Sequence, residues 1–181
     1  MKFEWYFFKN FYTLDQCREL SNFMKSSPTA GTDSPANGVK KTAKVHTVSW
    51  GRAKPLLNSL EESAHYINKT HFGFSIYRMT DYDLMNYNVY NDSVDGQYGW
   101  HKDAALGEIY DLKLTVIANI STVPYEGGKF EIFLNEPCHI AELDAPGSAL
   151  IFPSFLNHRV NPVTQGTRET LSFWIPGPNF K

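Results

Sequence analysis

His101-Lys-Asp103 places an imidazole and a carboxylate two residues apart in a segment with the composition of a β-strand. Side chains at that spacing leave the same face of a strand, so both can reach one ion. Alone, an HxD triplet is weak evidence, because two common residue types meet at that spacing by chance. His158 strengthens it: it follows the apolar run Gly147-Ser-Ala-Leu-Ile-Phe-Pro-Ser154, which predicts a strand ending near the same place. Two imidazoles and one carboxylate on one side of an octahedral ion leave three positions open, the arrangement of non-haem Fe(II) sites. Ten residues further on, Arg168 opens another strand-like run. Its fork of donors matches a carboxylate, and a guanidinium inside a barrel calls for an anion that arrives. A polar surface cluster, or a cupin-type metal module without catalysis, is the competing reading of the same residues.

The elements that must hold these groups are legible in outline. Thr13-Leu-Asp-Gln16 has the form of a capping box, and Leu14, Cys17, Leu20, Phe23 and Met24 continue it at helical spacing. A loop is expected from Ser26 to about Lys44, with Lys40, Lys41 and Lys44 on a solvated face. Pro55 reads as a first-turn proline, and Leu56, Leu57, Leu60, Ala64 and Ile67 line one face of a second helix reaching roughly to His71. From Phe74 onward short runs alternate with Gly, Pro, Asp and Asn, near 74–80, 84–91, 97–104, 113–121, 128–134, 138–144, 147–153, 157–163 and 168–176. Eight or nine such strands predict a mainly β double-sheet jelly roll, with the two N-terminal helices packed outside.

Composition bounds the rest. The 181 residues suit one domain, with residues 1–73 as helices and loop and 74–181 as the jelly-roll core. Aromatic residues make up 15% of the chain, which suits pleated surfaces. A formal charge of −2 offers no broad field for nucleic acid or an anionic membrane. No apolar run approaches the ~20 residues of a membrane span. Cys17 and Cys138 form no CxxC pattern, and the amino terminus lacks an uninterrupted apolar export segment. The expectation is a cytoplasmic protein, a monomer or weak dimer. His46, His65, His71 and His139 fit no ligand pattern.

The series Gln97-Tyr-Gly-Trp-His-Lys-Asp103, Leu114-Thr-Val-Ile-Ala-Asn-Ile120, Tyr125-Glu-Gly-Gly-Lys-Phe130, Gly147 to Ser154, and His158-Arg-Val-Asn-Pro-Val-Thr-Gln-Gly-Thr-Arg168 through Trp174 resembles the prolyl 4-hydroxylase-like oxygenases. It is most similar to their small stand-alone PKHD-type members. The resemblance spans roughly residues 84 to 176 and implies a double-stranded β-helix. It implies Fe(II) at His101, Asp103 and His158, 2-oxoglutarate held by Arg168, O2 as co-substrate, and ascorbate as a candidate reductant. It further implies that Tyr90, Asn119 and Thr115 face the co-substrate and that Tyr98, Trp100 and Trp174 face the substrate. Asn119 stands where the family commonly has a tyrosine for the distal carboxylate, a contact that Tyr90 or water would then supply. The implied reaction is hydroxylation of a prolyl residue, at C4, in a protein or peptide. Loops 26–52 and 91–96 are expected to choose that substrate. A nucleic-acid demethylase of the same superfamily is disfavoured by the charge and by Glu-Thr-Leu-Ser-Phe-Trp174, which lacks a second arginine.

Overall fold

The computed structural model describes residues 4–30, 38–103 and 111–179. Helix α1 spans Leu14–Ser26, and its start is the reciprocal cap that the sequence spells. The Gln16 amide donates to Thr13 Oγ1 at 3.2 Å, and the Thr13 amide donates to Gln16 Oε1 at 2.9 Å. Helix α2 spans Trp50–Ile67, so Pro55 lies inside it rather than in the first turn. Its earlier start is supported from outside the helix. The Trp50 and Gly51 amides donate to the carbonyls of Asp83 and Asp81, which satisfies two first-turn donors without a side-chain cap. Gly51 permits this approach: a Cβ there would stand 2.8 Å from that of Asp81.

Twelve strands are described: β1 (Tyr6–Phe8), β2 (Lys44–Ser49), β3 (Leu84–Asn91), β4 (Tyr98–His101), β5 (Asp111–Asn119), β6 (Glu126–Gly127), β7 (Phe130–Phe133), β8 (Pro137–His139), β9 (Ala149–Pro153), β10 (His158–Val160), β11 (Val163–Gln165) and β12 (Thr167–Gly177). The major sheet runs β1-β9-β5-β12-β3-β2 and the minor sheet β4-β10-β7-β8, all pairs antiparallel, with β6 and β11 as a separate ribbon. This is the double-sheet jelly roll with two helices outside.

Both faces of the major sheet are buried. On the outer face Leu171, Phe173, Ile175, Met85 and Val116 pack against Leu20, Met24, Trp50, Leu57 and Leu60 of the helices. On the inner face Ile117, Leu150 and Phe152 meet Phe130, Ile132 and Val160 of the minor sheet. The helices thereby brace the sheet from behind and leave its inner face to carry polar groups.

Several boundaries differ from the sequence expectation. Residues 74–80 join no ladder among the described residues. Their amides are satisfied instead by Asn68 Oδ1 at Phe74, Glu61 Oε1 at Met79 and the Pro176 carbonyl at Tyr77. The expected loop from 26 to 52 is only partly a loop. Residues 44–49 are strand β2 on the edge of the major sheet, and residues 50–52 are helix. The strap before β2 is docked, with the Gly99 amide donating to Lys40 O, the Thr42 amide to Gln97 O, and a bridge between Lys41 and Tyr98. Residues 31–37 of that loop lie outside the described residues. Strand β1 was not anticipated; a three-residue aromatic run carries no period by which to read it. No helix among the described residues is long and apolar enough to cross a membrane.

Candidate active site

Antiparallel pairing of β4 with β10 makes His101 and His158 register partners, with ring centroids 4.1 Å apart. Asp103, just beyond β4, is fixed by its amide donating to the Ser154 carbonyl at 3.1 Å. Its Oδ1 lies 3.5 Å from His101 Nε2 and its Oδ2 3.4 Å from His158 Nε2. One donor atom from each residue falls within 4.8 Å of the others. Cis ligands of an octahedral ion with bonds near 2.1 Å stand about 3 Å apart, so the set is close to ligating spacing.

The orientation of both rings supports the same reading. His101 Nδ1 donates to Gly99 O at 2.8 Å and His158 Nδ1 to Leu156 O at 2.9 Å. A carbonyl only accepts, so each Nδ1 carries the hydrogen and a neutral ring turns its Nε2 lone pair toward Asp103. Burial alone would raise the Asp103 carboxyl, but His158, His101 and Trp174 together outweigh it and hold the group well below the usual carboxylate range. For His158, burial is the largest effect and lowers its pKa; His101 adds to it and Asp103 opposes it. A carboxylate kept ionised beside an imidazole kept neutral is the donor set a divalent cation requires. Thr115 Oγ1 donates to Asp103 Oδ2 at 2.8 Å and lies 3.0 Å from Ser154 Oγ, which orients the carboxylate. The Trp174 indole N–H is buried close to this carboxylate without a hydrogen bond of normal geometry.

Arg168 lies on β12, opposite Tyr90 of β3, and is 2% exposed. Its Cζ sits 5.6 Å from the centre of the Tyr90 ring. Among the described residues no carboxylate lies within ion-pair distance of it. Gly128, at φ +59°, gives it room: a Cβ there would approach Arg168 Cδ to 2.9 Å. A buried guanidinium in that state is costly, and an arriving carboxylate offsets the cost. The arginine and the triad share one cavity of about 360 Å³, inside the usual range for small-ligand sites.

Tyr90, Thr115, Tyr98 and Trp174 line this cavity; Asn119 and Trp100 do not. The Asn119 amide group donates to Leu143 O, Asp144 O and Tyr125 Oη, while its Oδ1 accepts from the Ser121 amide. It is a fully buried brace between β5 and the turn before β9, which leaves it no donor for a ligand carboxylate. Trp100, next to His101, takes the opposite face of β4 by ordinary strand alternation. His158 pairs with His101 and Val160 with Tyr98, so three steps of β4 oppose two of β10. The extra residue of this bulge puts Tyr98 on the face of His101, with centroids 3.6 Å apart and planes at 19°, while Trp100 on the other face is edge-on to Phe133 and under Arg159.

The sequence reading missed Asn86 and Asn88 of β3 and Thr170 and Ser172 of β12, all of which line the cavity. Their signal was present. Asn86, Asn88 and Tyr90, like Arg168, Thr170, Ser172 and Trp174, recur at period two, with the buried apolar Met85, Tyr87, Leu171 and Phe173 among the residues that alternate with them. Lys41 does not lie on a solvated loop face: the strap that pairs with β4 brings it to the cavity wall.

Residues 85–176, 92 of the 181, match the family model of the 2OG-Fe(II) oxygenase superfamily, and the chain belongs to that superfamily. A PKHD-type hydroxylase of Delftia acidovorans is 37% identical over 87 residues, 44% of this chain and 38% of that protein. One of Colwellia psychrerythraea is 35% identical over 97 residues, 51% of this chain and 43% of that protein. The chain thus spans about two fifths of the length of these curated relatives. Among solved structures, a Pseudomonas putida prolyl-4-hydroxylase superposes with a TM-score of 0.72 at 16% identity, covering 98% of this chain and 94% of that one. The viral collagen prolyl hydroxylase of Paramecium Bursaria Chlorella virus-1 gives 0.69 at 14% identity, covering 97% of each. These likenesses show a shared double-stranded β-helix.

Proposed function

We propose that the protein is an Fe(II) and 2-oxoglutarate dependent dioxygenase that hydroxylates a prolyl residue, at C4, in a protein or peptide, releasing succinate and carbon dioxide. The observation that carries this reading is one cavity joining a ligating His-Asp-His set to a buried arginine that no carboxylate of the described chain pairs with. Iron, when bound, supplies activation of O2 and the oxidation of a C–H bond. His101, Asp103 and His158 would hold it. Arg168 binds the distal carboxylate of the diacid, and the Tyr90 ring beside it limits how the guanidinium can lie. Thr115 fixes the angle of the Asp103 carboxylate. Ile117, Phe130 and Val160 line the wall between arginine and triad and exclude water from the diacid's chain. The hydroxylase names of the relatives, and a prolyl hydroxylase among the similar structures held with a peptide fragment, support a peptidyl target.

The test is succinate release from 2-oxoglutarate with iron present, followed by mass spectrometry of proline-containing peptides for the gain of one oxygen. Asp103→Ala should abolish succinate release even with excess iron, because two neutral ligands hold the ion poorly. Full turnover by that variant, or succinate without any oxidised proline in a broad peptide set, would contradict the metal site or the substrate respectively.

A further inference from the structure

We infer that Asn88 and Ser172 bind the main chain of the peptide, taking the N–H and the C=O of one residue next to the prolyl target, so that this neighbour cannot itself be proline. The inference rests on the dioxygenase reading. Asn88 of β3 and Ser172 of β12 are 5% and 8% exposed, and both line the cavity. Asn88 Nδ2 donates to Ser172 Oγ at 3.1 Å. Neither side chain makes another hydrogen bond among the described residues. The bond leaves the serine hydroxyl hydrogen as a donor and Asn88 Oδ1 as an acceptor. Buried polar groups in that state are costly, and an occupant that pairs with both offsets the cost.

The place of the pair in the sheet separates it from the diacid. Along the cavity face of β12, Arg168, Thr170, Ser172 and Trp174 follow one another at about 7 Å per step. Asn88 is the register partner of Thr170, so its bond to Ser172 runs diagonally. It leads toward the end of β12 where Trp174 pairs with Thr115, the residue bonded to Asp103. On the other flank of β12, toward β5 and the minor sheet, the cavity wall is apolar, with Ile117, Phe130 and Val160. Within the dioxygenase reading that flank suits the methylene carbons of the diacid, and Arg168 and the metal match its two carboxylates. The diacid then has no group left for the amide and hydroxyl on the β3 flank.

A peptide main chain supplies what the pair lacks. In an extended chain the N–H and C=O of one residue leave on the same side, as they do in a hydrogen-bonded antiparallel pair. An acceptor beside a donor therefore matches one residue's main chain. A prolyl residue has no N–H, so the residue held is a neighbour of the target and not the target itself. A second proline in that place would leave Asn88 Oδ1 buried without a donor. The edge of a nucleobase also carries a donor beside an acceptor. Its strand, however, demands a basic stripe along several phosphates, and the chain as a whole carries −2.

The experiment uses labelled alanine heptapeptides with a central proline, in which the residue before or after the proline is replaced by its α-hydroxy acid. The resulting ester keeps the shape of the chain and removes one N–H. Each peptide is titrated by fluorescence anisotropy against the protein loaded with Mn(II) and 2-oxoglutarate, and assayed for succinate with iron. One of the two esters should bind roughly three- to tenfold more weakly than the parent, the range for one net hydrogen bond, and proline at that position should bind no better. In Asn88→Ala the penalty of that ester should disappear, because its acceptor is gone. Ser172→Ala, which removes the donor, should weaken the parent peptide by a like factor and keeps the test open if Asn88→Ala does not fold. Equal binding of parent and both esters by the native protein overturns the inference, as does an undiminished ester penalty in folded Asn88→Ala or native peptide affinity in Ser172→Ala. It is also overturned if either variant raises half-saturating 2-oxoglutarate while peptide binding stays native, or if a single-stranded oligonucleotide binds tighter than the peptides. Peptide-dependent succinate with ester-blind binding sinks this inference alone, whereas no succinate with any peptide sinks the dioxygenase reading.

Discussion

Arg168 and Thr115 act on the candidate site in different ways, and the difference can be measured. Arg168 is buried where a ligand carboxylate would complete it. Arg168→Ala should weaken apparent 2-oxoglutarate affinity by about 2 to 5 kcal/mol, the range for truncating one partner of a buried charge pair. Saturation with unchanged half-maximal 2-oxoglutarate would remove that role. Thr115 touches the Asp103 carboxylate and would make no bond to the ion itself. Thr115→Val keeps the shape but loses the hydroxyl, and should lower metal affinity by roughly 10- to 100-fold, as loss of a group that orients a ligand does. Titration with Mn(II) followed by calorimetry checks this, and an unaltered binding constant would show the carboxylate to be oriented by other means.

Among the elements, the turn between the 3-10 turn at Ala141–Leu143 and strand β9 is tightly constrained by its neighbours. Gly147 has φ +78°; its amide donates to Asn119 O and its carbonyl accepts from the Tyr12 amide. A Cβ at this position would stand 2.0 Å from Tyr12 O, so no side chain fits without moving the segment that leads into α1. Gly147→Ala should therefore destabilise the fold by more than about 1 kcal/mol, since it combines a left-handed conformation with a backbone clash. A chemical denaturation midpoint equal to the native one would show that the turn yields. The bulge in β4 works at this scale too. One extra residue moves Tyr98 beneath His101, so the stacking of this aromatic on the candidate ligand is a property of strand pairing.

The whole molecule couples its helical layer to the sheet through a few buried polar groups, and Glu61 of α2 is one that titrates. Burial raises its pKa, but His65, the Met79 amide and Arg78 together outweigh this, and the net shift is downward. The Met79 amide donates to Glu61 Oε1 at 3.0 Å, which ties the extended segment before β3 to the helix. A carboxyl with a depressed folded pKa contributes stability that is complete above its unfolded value, near 4.3, and is lost as pH falls through the lower folded value. Glu61→Gln keeps an acceptor for Met79 but removes the charge. Thermal melts from pH 7 to pH 3 should thus show a shallower acid loss for the variant, with the difference between the two proteins narrowing as pH falls. Parallel curves across that window would assign the acid sensitivity to other carboxylates.

By itself the sequence determined the kinds of element and the residue types of the candidate site. Thr13 and Gln16 prescribe a local cap whose bonds span three residues, and period-two runs prescribe strands, because both signals are complete within a few positions. His101, Asp103, His158 and Arg168 were legible since few other roles need those types at those intervals. The polar faces of β3 and β12 were also written there, as alternation, but their direction was not: a strand buried on both sides gives no sign of which face meets a cavity. Only the tertiary structure decided that Asn119 would serve as a brace, that Tyr98 would stack on His101, and that Lys41 would reach the site. Each of those outcomes depends on contacts between segments far apart in the chain: the Leu143 and Asp144 carbonyls, the slipped register of β4 on β10, and the strap laid along β4. Local propensity has no term for such contacts, and the packed fold sets them.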